Sequence, residues 1–374
     1  NEPPRYLRMS ILRAMDSMVK PSRFMSMLML FCFLPFVQSS SYTEDEGISM
    51  LQHRKLHIRA PPGVNQSSSL LARGTSLKQP DCGPIPPLMF LKTHKTGGST
   101  VASILHRMVD CRNMRVMLPQ DDIFLGWPWS FPGSDNALKF GPPAHQFDAI
   151  MNHAVLNLSL AQAYLKPHPY FMTIVREPVE QVISSKNYFD GWVSWDSFLS
   201  PSGGSSSFRR NPQALDLGWY DFVGGSTEFD NNQSKISEWI STLDKYLNSS
   251  IITEYMDEGL VLLSHELQVD LEEMKYIKMK DNTKHKVLPS ESQRQIIASM
   301  NTVDSALYAH WNRSFWQKWT SGNMTQLNSD LVKLRRLNLE LSDACNRHDV
   351  EACPSNATAE SREYTRYLHE KQRE

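Results

Sequence analysis

The sequence is poor in the features that mark several common classes of protein. Its 374 residues carry a formal net charge of −1, so it lacks an overall basic surface and we expect no nucleic-acid partner. It has only five cysteines, and none of them has the C-x-x-C spacing of a zinc or redox site. No internal repeat and no heptad series occurs, which excludes a solenoid and a coiled coil. The chain can therefore form one sizeable globular domain or two small ones.

Long apolar segments are also scarce. The most apolar stretch, residues 24–37, spans 14 positions and is short for a membrane-spanning helix of about 20 residues. Lys20 and Arg23 precede it and a polar segment follows, so a cleaved signal peptide and a short signal anchor both fit. We favour the anchor, because thin early-secretory membranes accept shorter spans, the positive flank stays cytosolic, and no small-x-small cleavage site stands out after Val37. The predicted organisation is a cytosolic segment 1–23, a transmembrane anchor 24–37, a luminal stem 38–80, a folded domain 81–353 and a polar, frayed tail 354–374.

Sequons and cysteines indicate an oxidising, luminal location for the folded part. N-x-[ST] sequons occur along the chain at Asn65, Asn157, Asn232, Asn248, Asn312, Asn323 and Asn356. Outside the apolar stretch the cysteines are even in number, which suits two disulfides. Cys345 and Cys353 enclose a short loop and are predicted to pair, which leaves Cys82 to pair with Cys111.

The stretch "MFLKTHKTGGSTVASIL" predicts a strand, a glycine turn and a helix. Leu88–Leu91 is a short apolar run, and apolar residues recur at helical spacing after the glycines. A helix N-terminus beside a glycine turn binds phosphate or sulfate, because its first N–H groups have no partners. Lys95 precedes Gly97 and Gly98, whereas a nucleotide-binding P-loop places its lysine after the second glycine. An NTPase is therefore disfavoured, and an ordinary glycine turn remains the alternative.

The alternation of runs along the chain predicts where a ligand would bind. From Pro84 to about Leu341, strand-like runs alternate with helical ones, which indicates an α/β fold with a mostly parallel sheet. Ligands of such sheets gather at the carboxyl ends of the strands. One predicted strand, Phe147–Met151, is followed by His153. This histidine is either a structural residue or a base for deprotonating a hydroxyl group.

A third strand end supplies an arginine. The apolar run Tyr170–Val175 leads directly to Arg176, and Pro178 suits the first turn of a helix. That helix carries Ser184, so Arg176 and Ser184 together could hold a second phosphate. The alternative for Arg176 is an ordinary ion pair.

These segments resemble a known family of enzymes. "FLKTHKTGGST" and "IVREPVEQVISS" are similar to the 5′-phosphosulfate loop and the 3′-phosphate motif of sulfotransferases that use 3′-phosphoadenylyl sulfate. "LKTHKT" resembles the galactose 3-O-sulfotransferase family, as do "LDLGW", "TEYMDEGLVLL" and "LYAHWNRSFW" further along the chain. The resemblance covers about residues 84–319 and implies a P-loop-NTPase-like sulfotransferase fold.

The resemblance also implies roles for individual residues. Lys95 would stabilise charge on the oxygen that leaves the sulfuryl group, and His153 would activate the sugar hydroxyl. Arg176 and Ser184 would hold the 3′-phosphate. The residues implied for the 5′-phosphosulfate are Lys95, Thr96, Gly97, Gly98, Ser99 and Thr100. No metal is implied, and Lys92, which lies before the turn, is expected to matter less than Lys95.

The implied acceptor is a galactose residue on a glycolipid or a glycan at the Golgi membrane, with the protein in a single-pass type II orientation. Departures from the family pattern at Ala154, Val155 and in residues 267–273 leave the acceptor preference open. The aromatic segment Phe124–Phe131 suits either stacking against sugars or ordinary packing. A glycosaminoglycan sulfotransferase and an inactive carbohydrate-binding relative are the alternatives, and the sequence does not define the oligomeric state.

Overall fold

Short runs of apolar residues form a four-stranded sheet at the centre of the protein. A computed structural model describes residues 82–372, except for 121–122, 130, 202–205, 279–286, 350–351, 354–358 and 360. The strands are β1 (Leu88–Leu91), β2 (Ala149–Ile150), β3 (Tyr170–Val175) and β4 (Leu247–Ile252). All of them are parallel, in the order β2-β1-β3-β4. The predicted α/β fold with a parallel sheet is confirmed.

The two central strands are the ones that the sequence predicts best. β1 is buried along its whole length, and β3 is buried from Phe171 to Val175, as expected for strands covered on both faces. β2 is shorter than the predicted strand Phe147–Met151. Phe147, the first residue of the predicted strand, makes an isolated bridge with Leu165 and does not pair with β1.

Helices fill the connections between the strands and the C-terminal third of the chain. Pro178 and Glu177 begin the helix after β3, because proline suits the first helical position and the Glu177 side chain accepts a hydrogen bond from the N–H of Glu180. The helices are α1 (Gly98–Cys111), α2 (Ser134–Phe140), α3 (Leu158–Tyr164), α4 (Pro178–Phe189), α5 (Trp195–Leu199), α6 (Ser206–Arg209), α7 (Pro212–Asp216), α8 (Trp219–Phe222), α9 (Gln233–Asp244), α10 (Met256–Leu267), α11 (Glu291–Met300), α12 (Thr302–Ser321), α13 (Met324–Asn346) and α14 (Ser361–Lys371).

The helices pack around the sheet in a way that leaves its carboxyl edge accessible to loops. α10 and α12 both pack on the edge strand β4, and α13 packs on α10. The main core joins the strands to α1, α10 and α12 through buried aliphatic and aromatic side chains. A smaller cluster joins α4, α5 and α11 through Val182, Trp195 and Ile297.

The end of the chain differs from the predicted frayed tail. α14 packs against α1, and Tyr364 and Leu368 on α14 are each 2% exposed. Lys371 forms an ion pair with Asp110 of α1 at 2.6 Å. The tail is polar in composition, but two apolar side chains four residues apart suffice to bury one face of the helix.

Both predicted disulfides are confirmed. Cys82 is bonded to Cys111 at the end of α1, with 6.2 Å between their Cα atoms. Cys345 is bonded to Cys353, with 4.8 Å between their Cα atoms. The first bond ties the segment before β1 to α1, and the second closes a short loop after α13.

The predicted N-terminal segment, anchor and stem, residues 1–80, lie outside the described residues. Within the described part of the chain, no helix combines the length and the apolar character that crossing a membrane requires. Among the predicted sequons, Asn65 and Asn356 also lie outside the described residues. Asn232 and Asn323 are exposed and cap α9 and α13, respectively.

Candidate active site

The glycine turn connects β1 to α1 as the sequence predicts. Gly97 is the N-cap of α1 and has φ 83°, a left-handed conformation that favours glycine. A Cβ atom at Gly97 would also lie 2.8 Å from Cε of Met256, so that flexible side chain would have to shift. The first N–H groups of α1 therefore face the turn at the carboxyl edge of the sheet, in the arrangement that binds anions.

Threonine hydroxyls hold the turn in place. The hydroxyl of Thr96 is buried and lies 2.8 Å from that of Thr93. Thr253, which follows β4, donates to the carbonyl oxygens of Thr96 at 2.6 Å and of Val175 at 2.9 Å. Thr96 thus shapes the turn with its side chain, and Thr100 is also buried. Ser99 is half-buried and is the most accessible hydroxyl of the turn.

The two lysines of this stretch have different surroundings. Lys95 is half-buried, and its Nζ lies 3.7 Å from the centre of the Tyr188 ring on α4. Lys92 is only 5% exposed, and a Cβ at Gly98 would meet its Cγ at 3.0 Å. Lys92 therefore packs against the backbone of the turn, and the expectation that its substitution is milder than that of Lys95 stays a prediction.

Arg176 meets the glycine turn, as the rule for parallel strand ends predicts. Its guanidinium donates to the carbonyl oxygen of Lys95 at 3.4 Å and lies 4.0 Å from the carboxylate of Glu180. The Gln213 side chain brackets the Arg176 backbone, accepting from its N–H at 2.8 Å and donating to its oxygen at 2.9 Å. Ser184 is half-buried on α4, one turn beyond Gln181, whose amide donates to the carbonyl oxygen of His94.

His153 lies on the other side of the turn. Its Nδ1 is 3.0 Å from the carbonyl oxygen of Lys92. A carbonyl oxygen only accepts, so Nδ1 carries the proton and Nε2 is the basic nitrogen of the neutral ring. The backbone of His153 is fixed by hydrogen bonds with Ile123 and Leu125. His145, the other histidine near this strand in sequence, is exposed and bonds the carbonyl oxygen of Leu165 instead.

A second histidine, which the family resemblance did not single out, stacks on the first. The rings of His94 and His153 have their centres 3.9 Å apart and are inclined by 19°. His94 is held by Asp216 at the end of α7, which accepts from the backbone N–H at 2.8 Å and lies 2.9 Å from Nδ1. The indole N–H of Trp127 donates to the same carboxylate at 2.7 Å. The segments "KTHKT", "LDLGW" and "FLGWPWSF" contained these residues, but nothing in their spacing predicted that they meet.

The helix that carries Asp216 and Gln213 is itself held by a buried acid. Asp304 of α12 is 1% exposed and accepts from the N–H groups of Gln213 at 3.1 Å and Ala214 at 2.7 Å. Burial raises the pKa of Asp304 to about 7, against the opposing effect of these hydrogen bonds. Asp304 therefore has a structural role. It holds α7, whose Gln213 bonds the backbone of Arg176 and whose Asp216 bonds His94.

The fold and the site together define a class of protein. A parallel sheet carries, at one edge, a glycine turn, an arginine and a histidine pair, which suits the binding of an anionic group and the removal of a proton. A family model described as galactose-3-O-sulfotransferase matches residues 9–364. The chain belongs to this family, whose members are sulfotransferase enzymes.

Individual relatives agree with the family assignment. Galactose-3-O-sulfotransferase 2 of Sus scrofa is 30% identical over 280 residues, which cover 70% of this chain and 69% of the relative. Galactosylceramide sulfotransferase of Homo sapiens is 27% identical over 314 residues, covering 78% and 71%, respectively. Galactose-3-O-sulfotransferase 3 of Mus musculus is 25% identical over 335 residues, covering 80% and 76%.

Proposed function

We propose that the protein transfers a sulfuryl group from 3′-phosphoadenylyl sulfate to the 3-hydroxyl of a galactose residue on a glycolipid or a glycoprotein glycan. The observation that carries this proposal is the convergence of Lys95, Arg176 and His153 on one glycine turn. Arg176 contacts the turn through the oxygen of Lys95, and His153 contacts the oxygen of Lys92, which leads from β1 into the turn. Names of the relatives supply the sugar and the hydroxyl position.

The residues present fit the proposed donor, which has an anionic group at each end of its nucleotide. The turn from Lys95 to Thr100 offers an ammonium group, backbone N–H groups and the accessible hydroxyl of Ser99 to the 5′-phosphosulfate. Arg176 and Ser184 offer a guanidinium and a hydroxyl to the 3′-phosphate. The bond from Arg176 to the turn keeps these two groups of ligands side by side.

The proposed reaction is an in-line displacement at sulfur. When bound, the donor supplies the sulfuryl group and leaves as 3′,5′-adenosine bisphosphate. A bond forms between the acceptor oxygen and sulfur, and the bond from sulfur to the bridging phosphate oxygen breaks. His153 takes the hydroxyl proton at Nε2, and the ammonium of Lys95 balances the charge that develops on the released oxygen. No residue of the chain is assigned to a metal in this scheme.

The proposed location is the Golgi membrane, with residues 24–37 as a signal anchor and the folded part in the lumen. The apolar stretch, its basic flank and the sequons support this orientation. The two disulfides support an oxidising compartment. Cell fractionation and glycosidase digestion of the full chain check it, and an unglycosylated cytosolic protein would contradict it.

An acceptor screen tests the proposed activity. The full chain, solubilised from animal cells, is incubated with labelled donor and with galactosylceramide, lactosylceramide, N-acetyllactosamine or chondroitin, and the sulfated position is located by NMR. We expect transfer to the 3-hydroxyl of a galactoside, with activity retained in EDTA. The matched control is glucosylceramide, which differs from galactosylceramide at one hydroxyl. Transfer to chondroitin alone, or metal-dependent ATP hydrolysis without sulfate transfer, would overturn the proposal.

A further inference from the structure

Asp216 accepts hydrogen bonds from two side chains and one backbone group of the site. The backbone N–H and Nδ1 of His94 lie 2.8 and 2.9 Å from its carboxylate, and Nε1 of Trp127 lies 2.7 Å away. Asp216 is 2% exposed, so water contributes little to holding these groups. We propose that Asp216 is a positioning residue that fixes the histidine pair and the Trp127 ring for the acceptor sugar. This inference rests on the proposed function.

The first part of the argument concerns the proton on His94. A carboxylate is acceptor-only, so Nδ1 of His94 donates and Nε2 is the basic nitrogen. His153 has the same tautomer, because its Nδ1 faces the oxygen of Lys92. The pair therefore consists of two nearly parallel imidazoles. Nδ1 of His94 donates to Asp216, and Nδ1 of His153 donates to the carbonyl oxygen of Lys92. The ring centres of the pair are 3.9 Å apart, so the two imidazoles act as one stacked unit beside the turn.

The second part concerns charge. When the pair takes the proton of the acceptor hydroxyl, its positive charge forms beside the buried carboxylate of Asp216. The charges of the pair and the carboxylate then sum to zero among three side chains that are each no more than 7% exposed, and a charge compensated in this way is stabilised. A neutral residue at position 216 could not provide this compensation.

The third part concerns the acceptor. The Trp127 ring lies 4.3 Å from the His94 ring, centre to centre, and is half-buried. Phe208 stacks on Trp127 at 5.6 Å and Phe189 stacks on Phe208 at 4.2 Å, so the indole belongs to an aromatic wall. A pyranose ring has one apolar face and a polar edge, which matches an indole whose N–H is already bonded. Asp216 thereby sets the face of Trp127 that the sugar would meet.

The chain contains a matched control for this residue. Asp230 is also 2% exposed and accepts from the indole N–H of Trp219 at 2.9 Å, with Arg210 at 3.3 Å. It is bonded to no histidine in the described structure. Asp230→Asn therefore reproduces the loss of a buried carboxylate bonded to an indole, without altering the histidine pair.

The test compares Asp216→Asn, Asp216→Glu and Asp230→Asn in the full chain. An amide has one acceptor oxygen for three donors, so His94 loses its fixed tautomer. We expect Asp216→Asn to lower kcat by about 100-fold to 10,000-fold, which is the usual effect of losing the carboxylate that orients a catalytic base. The KM for the galactoside should rise, and affinity for 3′,5′-adenosine bisphosphate should stay within about twofold of the parent. Asp216→Glu should restore part of kcat, and Asp230→Asn should leave kcat unchanged.

Long-range ¹H–¹⁵N NMR of the histidine-labelled wild type reads the tautomers directly, with His94→Gln for assignment. We expect a protonated Nδ1 and an unprotonated Nε2 on both rings at neutral pH. The opposite tautomer of His94 would overturn the proposal even where Asp216→Asn does not fold. An Asp216→Asn protein that keeps kcat within threefold, or that loses activity no more than Asp230→Asn, would also overturn it. If the wild type sulfates no acceptor, the proposed function is refuted instead. The NMR result would still show which nitrogen of His94 carries the proton, independently of that activity.

Discussion

Replacing His106 by phenylalanine is expected to stabilise the protein, and to stabilise it more at acid pH. His106 lies on α1 and is completely buried, with its ring stacked on Tyr364 of α14 at 4.9 Å. Neither of its ring nitrogens has a hydrogen-bond partner among the described residues. Burial lowers the pKa of His106 to about 3, and the positive charges of Lys92 and Arg107 add to the shift. Phenylalanine keeps the stacked ring and removes the unsatisfied nitrogens.

The expected magnitude has two parts. A buried polar group without a partner costs about 1–3 kcal/mol, and this cost is removed at every pH. The second part depends on pH, because a histidine whose folded pKa is lowered stabilises the fold above its unfolded pKa of 6.5 and loses that contribution as pH falls towards 3. Each pH unit in that window is worth about 1.4 kcal/mol. Between pH 7.5 and 5.0 the wild type should lose about 2 kcal/mol that His106→Phe does not lose.

Urea unfolding of both proteins at pH 7.5 and 5.0, with disulfides intact, measures this difference. Comparing the two proteins at each pH cancels the contributions of all other titrating groups. A stability gain that is the same at both pH values would refute the assigned pKa shift. A loss of more than about 1 kcal/mol at pH 7.5 would mean that the ring nitrogens have partners after all.

The remaining predictions concern the site and its support. Lys95→Ala should lower the transfer rate by a few hundred-fold, about 3–4 kcal/mol, and Lys95→Arg should restore little, because a planar fork does not replace a point charge; near-normal initial rates in either variant would contradict this. His153→Ala should reduce turnover by roughly 100-fold or more with unchanged affinity for 3′,5′-adenosine bisphosphate, and Arg176→Ala should mainly weaken that affinity; calorimetry that finds the reverse would exchange their roles. The wild type should lose stability as pH rises from about 4 through 7, because the pKa of the buried Asp304 is raised to about 7, and Asp304→Asn should remove this loss. Thermal unfolding of both proteins across that pH range measures the effect. Parallel curves of stability against pH would refute it.

The predictable parts of the molecule are those that depend on local patterns and on topology. β1 and β3 have the predicted bounds and α4 begins at the predicted proline, because continuous apolar runs define the strands and Pro178 suits the first helical position. The meeting of the Lys95 turn with Arg176 also followed, since parallel strands bring their carboxyl ends to one edge. His153 stands beside the same turn for that reason.

Other features could not be predicted, because they depend on contacts between distant residues. Asp216 and His94 are separated by 122 positions, and no periodicity links a short helix to a turn at that distance. Lys92 lies before the turn in sequence, and the sequence alone does not show that its stem packs against the backbone at Gly98. α14 was expected to be frayed, because its composition is polar and its burial depends on the surface that α1 offers to Tyr364.

The five-residue helix α7 connects the two halves of the proposed chemistry. Gln213 holds the backbone of Arg176 on the donor side, and Asp216 holds His94 on the side of the proton acceptor. The N–H groups of Gln213 and Ala214 in this helix are satisfied by Asp304, a residue of α12. A short helix gains little stability of its own, so its position depends on such contacts. A displacement of α7 would therefore move the arginine and the histidine together, and substitutions at Gln213 and Asp216 should not have additive effects on turnover.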